Sequence, residues 1–151
     1  MLRDSLTLAL KDAMKAREAR RVSTLRLILA ALKDRDIATR TRGDGSGLAD
    51  DEILQMLQSM VKQRRESIEL YQRGGRPELA QQEQEEIAII EGFMPRQMDE
   101  AEIRSASQAI IAEVGGKGIK DMGRVMAAIK QRYAGQMDFA RAAGVVKSLL
   151  A

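Results

Sequence analysis

Residues 91–99, Glu91-Gly92-Phe93-Met94-Pro95-Arg96-Gln97-Met98-Asp99, interrupt an otherwise helical pattern. Apolar residues recur at helical spacing up to this stretch and again beyond it. Pro95 is one of only two prolines. It disfavours the helical region for Met94, and Gly92 adds backbone freedom, so a long helix is expected to stop here. Asp99 with Glu102 three residues on reads as the capped start of the next helix, a feature worth about 1 kcal/mol. The spacing predicts an all-α chain of two parts: residues 1–94 as a four-helix bundle-like domain and residues 95–151 as a small three-helix tail domain. Phe93 and Met94 are too apolar for a free linker and are expected to be buried between the two parts, restricting their swing.

Upstream of this break the pattern gives four helices. The first is expected from about Arg3 to Glu18, with Leu2, Leu6, Leu10 and Ala13/Met14 facing inward. The second is expected over about Val22–Thr39. Its middle, Leu25–Leu32, is apolar almost all round, which marks it as the most buried element. Arg26 interrupts that run and would need a partner there. Arg40–Ala49 is glycine-rich and polar, and reads as a linker. It lacks the Gly-Lys-Ser/Thr ending of a phosphate loop, and Asp44 alone stands where a calcium loop needs several carboxylates.

The third helix begins near Asp50 and carries Ile53, Leu57, Met60/Val61, Arg64, Ile68 and Tyr71 on one stripe. Gly74-Gly75 ends it, and Pro77 suits the first position of the fourth helix. That helix turns Leu79/Ala80, Glu83, Ile87 and Ile90 inward. Counting outward from the two glycines brings Arg64 level with Glu83, both on apolar faces. An ion pair between them is expected, with Arg26 as a competing partner for Glu83. Such a pair is structural, since removing one partner of a buried pair costs roughly 3–5 kcal/mol.

Helices are expected from the capping Asp99 onward through Ile103, Ala106, Ile110 and Val114, from Lys120 or Asp121 to Tyr133, and from the capping Asp138 onward through Phe139, Ala142/Ala143, Val146 and Leu149/Leu150.

Composition bounds the chemistry. The 151 residues contain no cysteine and no histidine. Disulfides, thiolate nucleophiles, zinc–sulfur sites and the commonest general base are therefore excluded. No cofactor and no metal are expected. No apolar run approaches the roughly 20 residues that span a bilayer, and the N-terminus carries Asp4 and Asp12 instead of a signal core. A cytoplasmic protein without membrane contact is the expectation.

Charge is distributed unevenly. Residues 1–42 hold eleven basic and five acidic side chains, residues 77–102 one and eight, and residues 103–151 eight and three. Either the basic ends fold back on the acidic helix, or one of these segments is a binding surface.

Lys62–Met98 and Lys117–Met126 carry specific motifs: Gly-Gly-Arg-Pro-x-Leu, Phe-Met-Pro and Lys-Asp-Met-Gly-x-Val-Met. In this order and spacing they resemble the YqeY-like proteins over nearly the whole chain. The C-terminal half of that family is similar to the tail domain of GatB, the subunit of the glutamine-dependent aminoacyl-tRNA amidotransferase whose tail helps to bind tRNA. The resemblance implies an all-helical fold, a link to tRNA and a protein partner in tRNA-dependent amidation or translation. It does not bring the kinase-like body of GatB, for which the chain has no room. Two departures stand out: Phe139-Ala140 replaces a common Gly-Lys, and the loop around Gly43–Gly47 is long for the family.

Three functions follow. In the first, the tail binds tRNA through Lys117, Lys120 and Arg124, with Gly123 admitting a backbone. Lys120 and Arg124 would lie one turn apart on an outer helix face, suited to phosphate contact and A-form shape. Gly123 equally fits close helix packing. Few aromatics are available to stack single-stranded bases. In the second, the chain is a carbon–nitrogen ligase with glutamine as amido donor. That chemistry needs an activated nucleophile, and no catalytic constellation is visible. The carboxylates of Gln84–Glu86 and Asp50–Glu52 are expected at helix starts or outer faces. In the third, the chain is an adaptor that docks a protein through its acidic fourth helix or its N-terminal bundle.

Overall fold

The computed structural model describes residues 1–43 and 47–151. Among these the chain is all-helical: α1 (Leu2–Ala16), α2 (Ala19–Ala38), α3 (Asp50–Arg73), α4 (Pro77–Glu91), α5 (Glu100–Val114), α6 (Met122–Arg132) and α7 (Phe139–Leu150), with short 3-10 turns at Thr39–Arg42 and Ile119–Asp121. The chain divides into two compact units, Met1–Met94 and Pro95–Ala151. Asp44, the lone carboxylate of the glycine-rich loop, lies outside the described residues.

In the first unit, α3 packs most extensively on α4, α1 on α2, and α2 also on α4. Leu6 and Ala13 of α1, Leu25, Ile28 and Leu32 of α2, and Ile53, Met56, Leu57, Met60 and Val61 of α3 meet Ile87 and Ile90 of α4 in one core. These positions recur at three- and four-residue steps, the spacing that gives each helix a single apolar stripe.

Two expectations for α1 and α2 are corrected. The α1 helix stops at Ala16, because Arg17 turns into the left-handed region at φ 57° and Glu18 N–H returns to the Ala13 carbonyl at 3.1 Å. This terminates a helix from within the chain, and α2 restarts at once at Ala19. Nor is α2 buried all round. Thr24, Leu25, Ile28 and Leu32 form its buried face, while Leu27 is 49% exposed and Arg26 points to solvent. The run is apolar in composition, but among the described residues the helix has a second face that is exposed. Arg26 is therefore no competitor for Glu83.

The glycine-rich segment is tied at its far end. Leu48 is buried, and its N–H donates to Asp36 Oδ1 at 2.9 Å. Arg3 closes the same corner from α1, reaching the Leu48 carbonyl at 3.2 Å.

At the end of α4, Gly92 is helical at φ −60° and ψ −19°, so its backbone freedom is not used. Phe93 and Met94 donate N–H groups back to Ile90 and Glu91 at 3.0 Å each, and the helical path ends at Pro95. The proline is the stop. Both side chains pack partly buried against the core of the first unit.

The second unit gathers Ile103, Ala106 and Ile110 of α5, Val125 and Ile129 of α6, and Ala142, Val146 and Leu150 of α7 around a common core. Asp99 accepts from Glu102 N–H at 2.8 Å and Asp138 from Ala140 N–H at 2.9 Å, so two of its three helices carry a carboxylate cap. Gln97 and Met98 belong to this unit: Gln97 Nε2 donates to the Gly135 carbonyl at 2.6 Å and Met98 N–H to Gln136 at 2.7 Å.

Candidate nucleic-acid interface

The interface is built on the turn from α5 into α6. Gly115 adopts φ 71°, a left-handed conformation that ends α5 without steric cost. Gly116 then passes close to the core: a Cβ there would touch Ile111 and Val125 at 3.4 Å and Leu150 at 3.5 Å. This glycine, not Gly123, is the one that admits close packing. A Cβ on Gly123 would meet nothing within 4 Å, so the packing alternative for that residue falls and its surface is open.

Lys117 and Lys120 are exposed on this turn, Lys120 within the 3-10 segment and not on the helix proper. Neither side chain has a carboxylate within ion-pair distance among the described residues. Arg124 differs. Its Nη2 is held by Asp121 Oδ1 at 3.1 Å, while Asp121 Oδ2 accepts the Lys117 N–H at 2.9 Å. The Lys117 N–H, followed by the Arg124 guanidinium, keeps the Asp121 carboxyl below its ordinary range. The turn therefore presents two free ammonium groups, with Arg124 oriented beside them by an acid that sequence reasoning passed over. Ile119, 48% exposed between the lysines, was also missed. Its position in a glycine-bounded turn, where helical periodicity gives no face, explains that.

Elsewhere on this unit Arg104, Lys130, Arg141 and Lys147 are exposed without an ion pair among the described residues. Arg132 is engaged with Glu113 at 2.7 and 2.8 Å, and that pairing holds Glu113 below the usual glutamate range.

The acidic helix is a different kind of surface. Each of the five glutamates of α4 has a cation within 4.0 Å: Glu78 with Arg76, Glu83 and Glu86 with Arg64, Glu85 with Arg20, and Glu91 with Arg65. Arg64 stands between α3 and α4. It lies 3.9 Å from Glu83, the partner expected from register, and 2.9 Å from Glu86, which was expected on an outer face. Glu86 is buried, at 6% exposure. The stripe Glu83, Glu86/Ile87, Ile90 has helical spacing, so the signal was present; the charge of Glu86 obscured it. Among the described residues no group of three or more carboxylates is arranged to hold a metal ion.

The family model for Yqey-like proteins matches residues 3–150. The chain belongs to the YqeY-like family. Curated relatives of this YqeY-like chain include three proteins named altered inheritance of mitochondria protein 41, mitochondrial. That of Eremothecium gossypii is 36% identical over 86 residues, covering 56% of this chain and 44% of the relative. That of Lachancea thermotolerans is 28% identical over 107 residues, 70% and 55% of the two chains. That of Clavispora lusitaniae is 34% identical over 93 residues, 62% and 51%. The chain thus spans about half the length of the curated relatives it matches. No helix among the described residues is long and apolar enough to cross a membrane.

Proposed function

We propose that this YqeY-like chain is an accessory tRNA-binding protein without an active site of its own, related through its second unit to the tail of the glutamine-dependent aminoacyl-tRNA amidotransferase. In this reading Lys117 and Lys120 contact phosphates, Arg124 adds a third positive group whose direction Asp121 sets, and the open surface at Gly123 lets the backbone of an A-form helix approach. The observation that supports it is the contrast in charge pairing. The acids of α4 each have a cation, whereas the two lysines of the α5–α6 turn have no carboxylate within reach among the described residues. An unpaired, exposed ammonium group releases counterions when it meets a phosphate, and that release drives sequence-independent RNA binding. A partner protein in amidation or translation completes the proposal. The three relatives are named as mitochondrial; for this chain the reading requires a compartment with a tRNA pool, and the cytoplasm meets that need.

The test is a titration of bulk tRNA against the full chain at several salt concentrations, with Lys117→Glu/Lys120→Glu alongside. Binding that weakens steeply with salt in the parent chain, and is clearly weaker with a shallower salt dependence in the double variant, supports the reading. Absence of binding at low salt, or equal binding by the variant, overturns it. Arg124→Glu is a poorer probe, because it also replaces the cation beside Asp121 with a second acid.

A further inference from the structure

Glu83 and Glu86 differ from the other glutamates of α4 in sharing one cation. Both approach Arg64 Nε, Glu86 at 2.9 Å and Glu83 at 3.9 Å. All three side chains are withdrawn from water, at 13% exposure for Arg64, 19% for Glu83 and 8% for Glu86. With every group ionised the cluster would hold two negative charges against one positive charge in a poorly solvated place. The neighbours offer no relief. From α3, Arg65 is taken by Glu91 at 3.3 Å; from α2, Arg20 is taken by Glu85 at 3.2 Å; and at the start of α4 itself Arg76 is taken by Glu78 at 2.6 Å. Arg64 is also committed on its other side, where Nη1 donates to the Met60 carbonyl at 3.2 Å.

Two carboxylates so placed relieve their repulsion by holding one proton between them. The charges then balance, one negative against one positive, with the proton held by the pair and not assigned to either carboxyl. We propose that Glu83 and Glu86 share one proton over Arg64, and that the α3–α4 hairpin is consequently a pH-sensitive joint that tightens as pH falls from neutral.

Burial, followed by the Glu86 carboxylate, raises the Glu83 carboxyl above its ordinary range, against the opposing pull of Arg64. A carboxyl raised in the folded state binds its proton more tightly there than in the unfolded chain. Its stabilising effect is complete below the unfolded glutamate value of about 4.3 and disappears as pH rises through the folded value. Over that window one proton changes the folding constant by up to about tenfold per pH unit.

The experiment is urea unfolding of the full chain between pH 4.5 and 8, followed by NMR at amides of α3 and α4, for the parent and Glu83→Gln. The amide keeps the donor of a protonated Glu83 without its charge. The expected result is a variant several-fold more stable than the parent at pH 8, with the two converging near pH 4.5. A second measurement, the carboxyl-carbon titration of Glu83 in the folded parent and in Glu86→Gln, decides the matter if Glu83→Gln fails to fold. Glu83 should titrate above free glutamate in the parent and move down in Glu86→Gln. A Glu83 that titrates at or below the free value, or a stability difference that does not change with pH, overturns the proposal.

Discussion

Arg3 and Asp36 meet in two parallel hydrogen bonds, Nη1 to Oδ2 at 2.6 Å and Nη2 to Oδ1 at 3.0 Å, and so join the first turn of α1 to the last turn of α2. The same Asp36 oxygen takes the Leu48 N–H, and Gly47 is folded against it at φ 76°. A Cβ on Gly47 would lie 2.5 Å from Asp36 Oδ1 and 3.1 Å from Arg3 Nη2. Gly47→Ala is therefore expected to destabilise the first unit by about 1–3 kcal/mol, from the left-handed backbone and the displaced carboxylate together. Urea unfolding monitored at Leu48 and α1 amides measures it.

Asp36 gives the stability curve an acid limb. The Arg3 hydrogen bonds hold its carboxyl below the ordinary range, with the Leu48 N–H assisting. A depressed carboxyl stabilises the fold above its unfolded value of about 3.9, and that stability disappears as pH falls through the folded value. Both side chains remain partly exposed, so screening limits the effect, and Asp36→Asn should cost about 1 kcal/mol near pH 7. The difference from the parent should shrink as pH falls from about 4 to about 2. This is the opposite sign to Glu83, so the two sites separate in the pH profile.

Arg64→Met removes the only cation within 4.0 Å of Glu83 and Glu86 among the described residues. Near neutral pH the cost should be about 3–5 kcal/mol, because two carboxylates are left in a buried place without a counter-charge. Acidification should restore part of it. Thermal unfolding at pH 7.5 and 5 reads both the destabilisation and the recovery.

Asp99→Ala deletes the acceptor of the Glu102 N–H and exposes one orphan donor at the start of α5. A cost of about 1 kcal/mol is expected, confined to the second unit. Amide hydrogen exchange should speed up in α5 while α3 and α4 remain unchanged.

Much of the fold is legible in the sequence because helical periodicity, glycines and prolines act locally. The stop before Pro95, the Gly74-Gly75 turn and the caps at Asp99 and Asp138 all stand where their residue types place them. What was not legible depends on neighbours. Arg17 ends α1 in a left-handed turn that a non-glycine residue rarely adopts. Leu27 and Arg26 are exposed because, among the described residues, α2 packs on its neighbours through its other face, a fact of arrangement and not of composition. Glu86 joins Arg64 because α3 and α4 bring a third charged group into a register that counting had reserved for two. At the α5–α6 turn the lysines were visible as a cluster, but the role of Asp121 depends on a backbone N–H four residues earlier in the chain.

The central claim, that the turn from α5 into α6 meets the phosphates of tRNA, is tested most directly by the salt dependence of tRNA binding. For the parent chain the logarithm of the binding constant should fall linearly with the logarithm of salt. Lys117→Glu/Lys120→Glu should make that slope shallower by about 2, near one unit for each phosphate that is no longer neutralised. Circular dichroism of the variant should match the parent. A parent chain that does not bind tRNA at low salt, or a folded double variant with the same slope and affinity, contradicts the account.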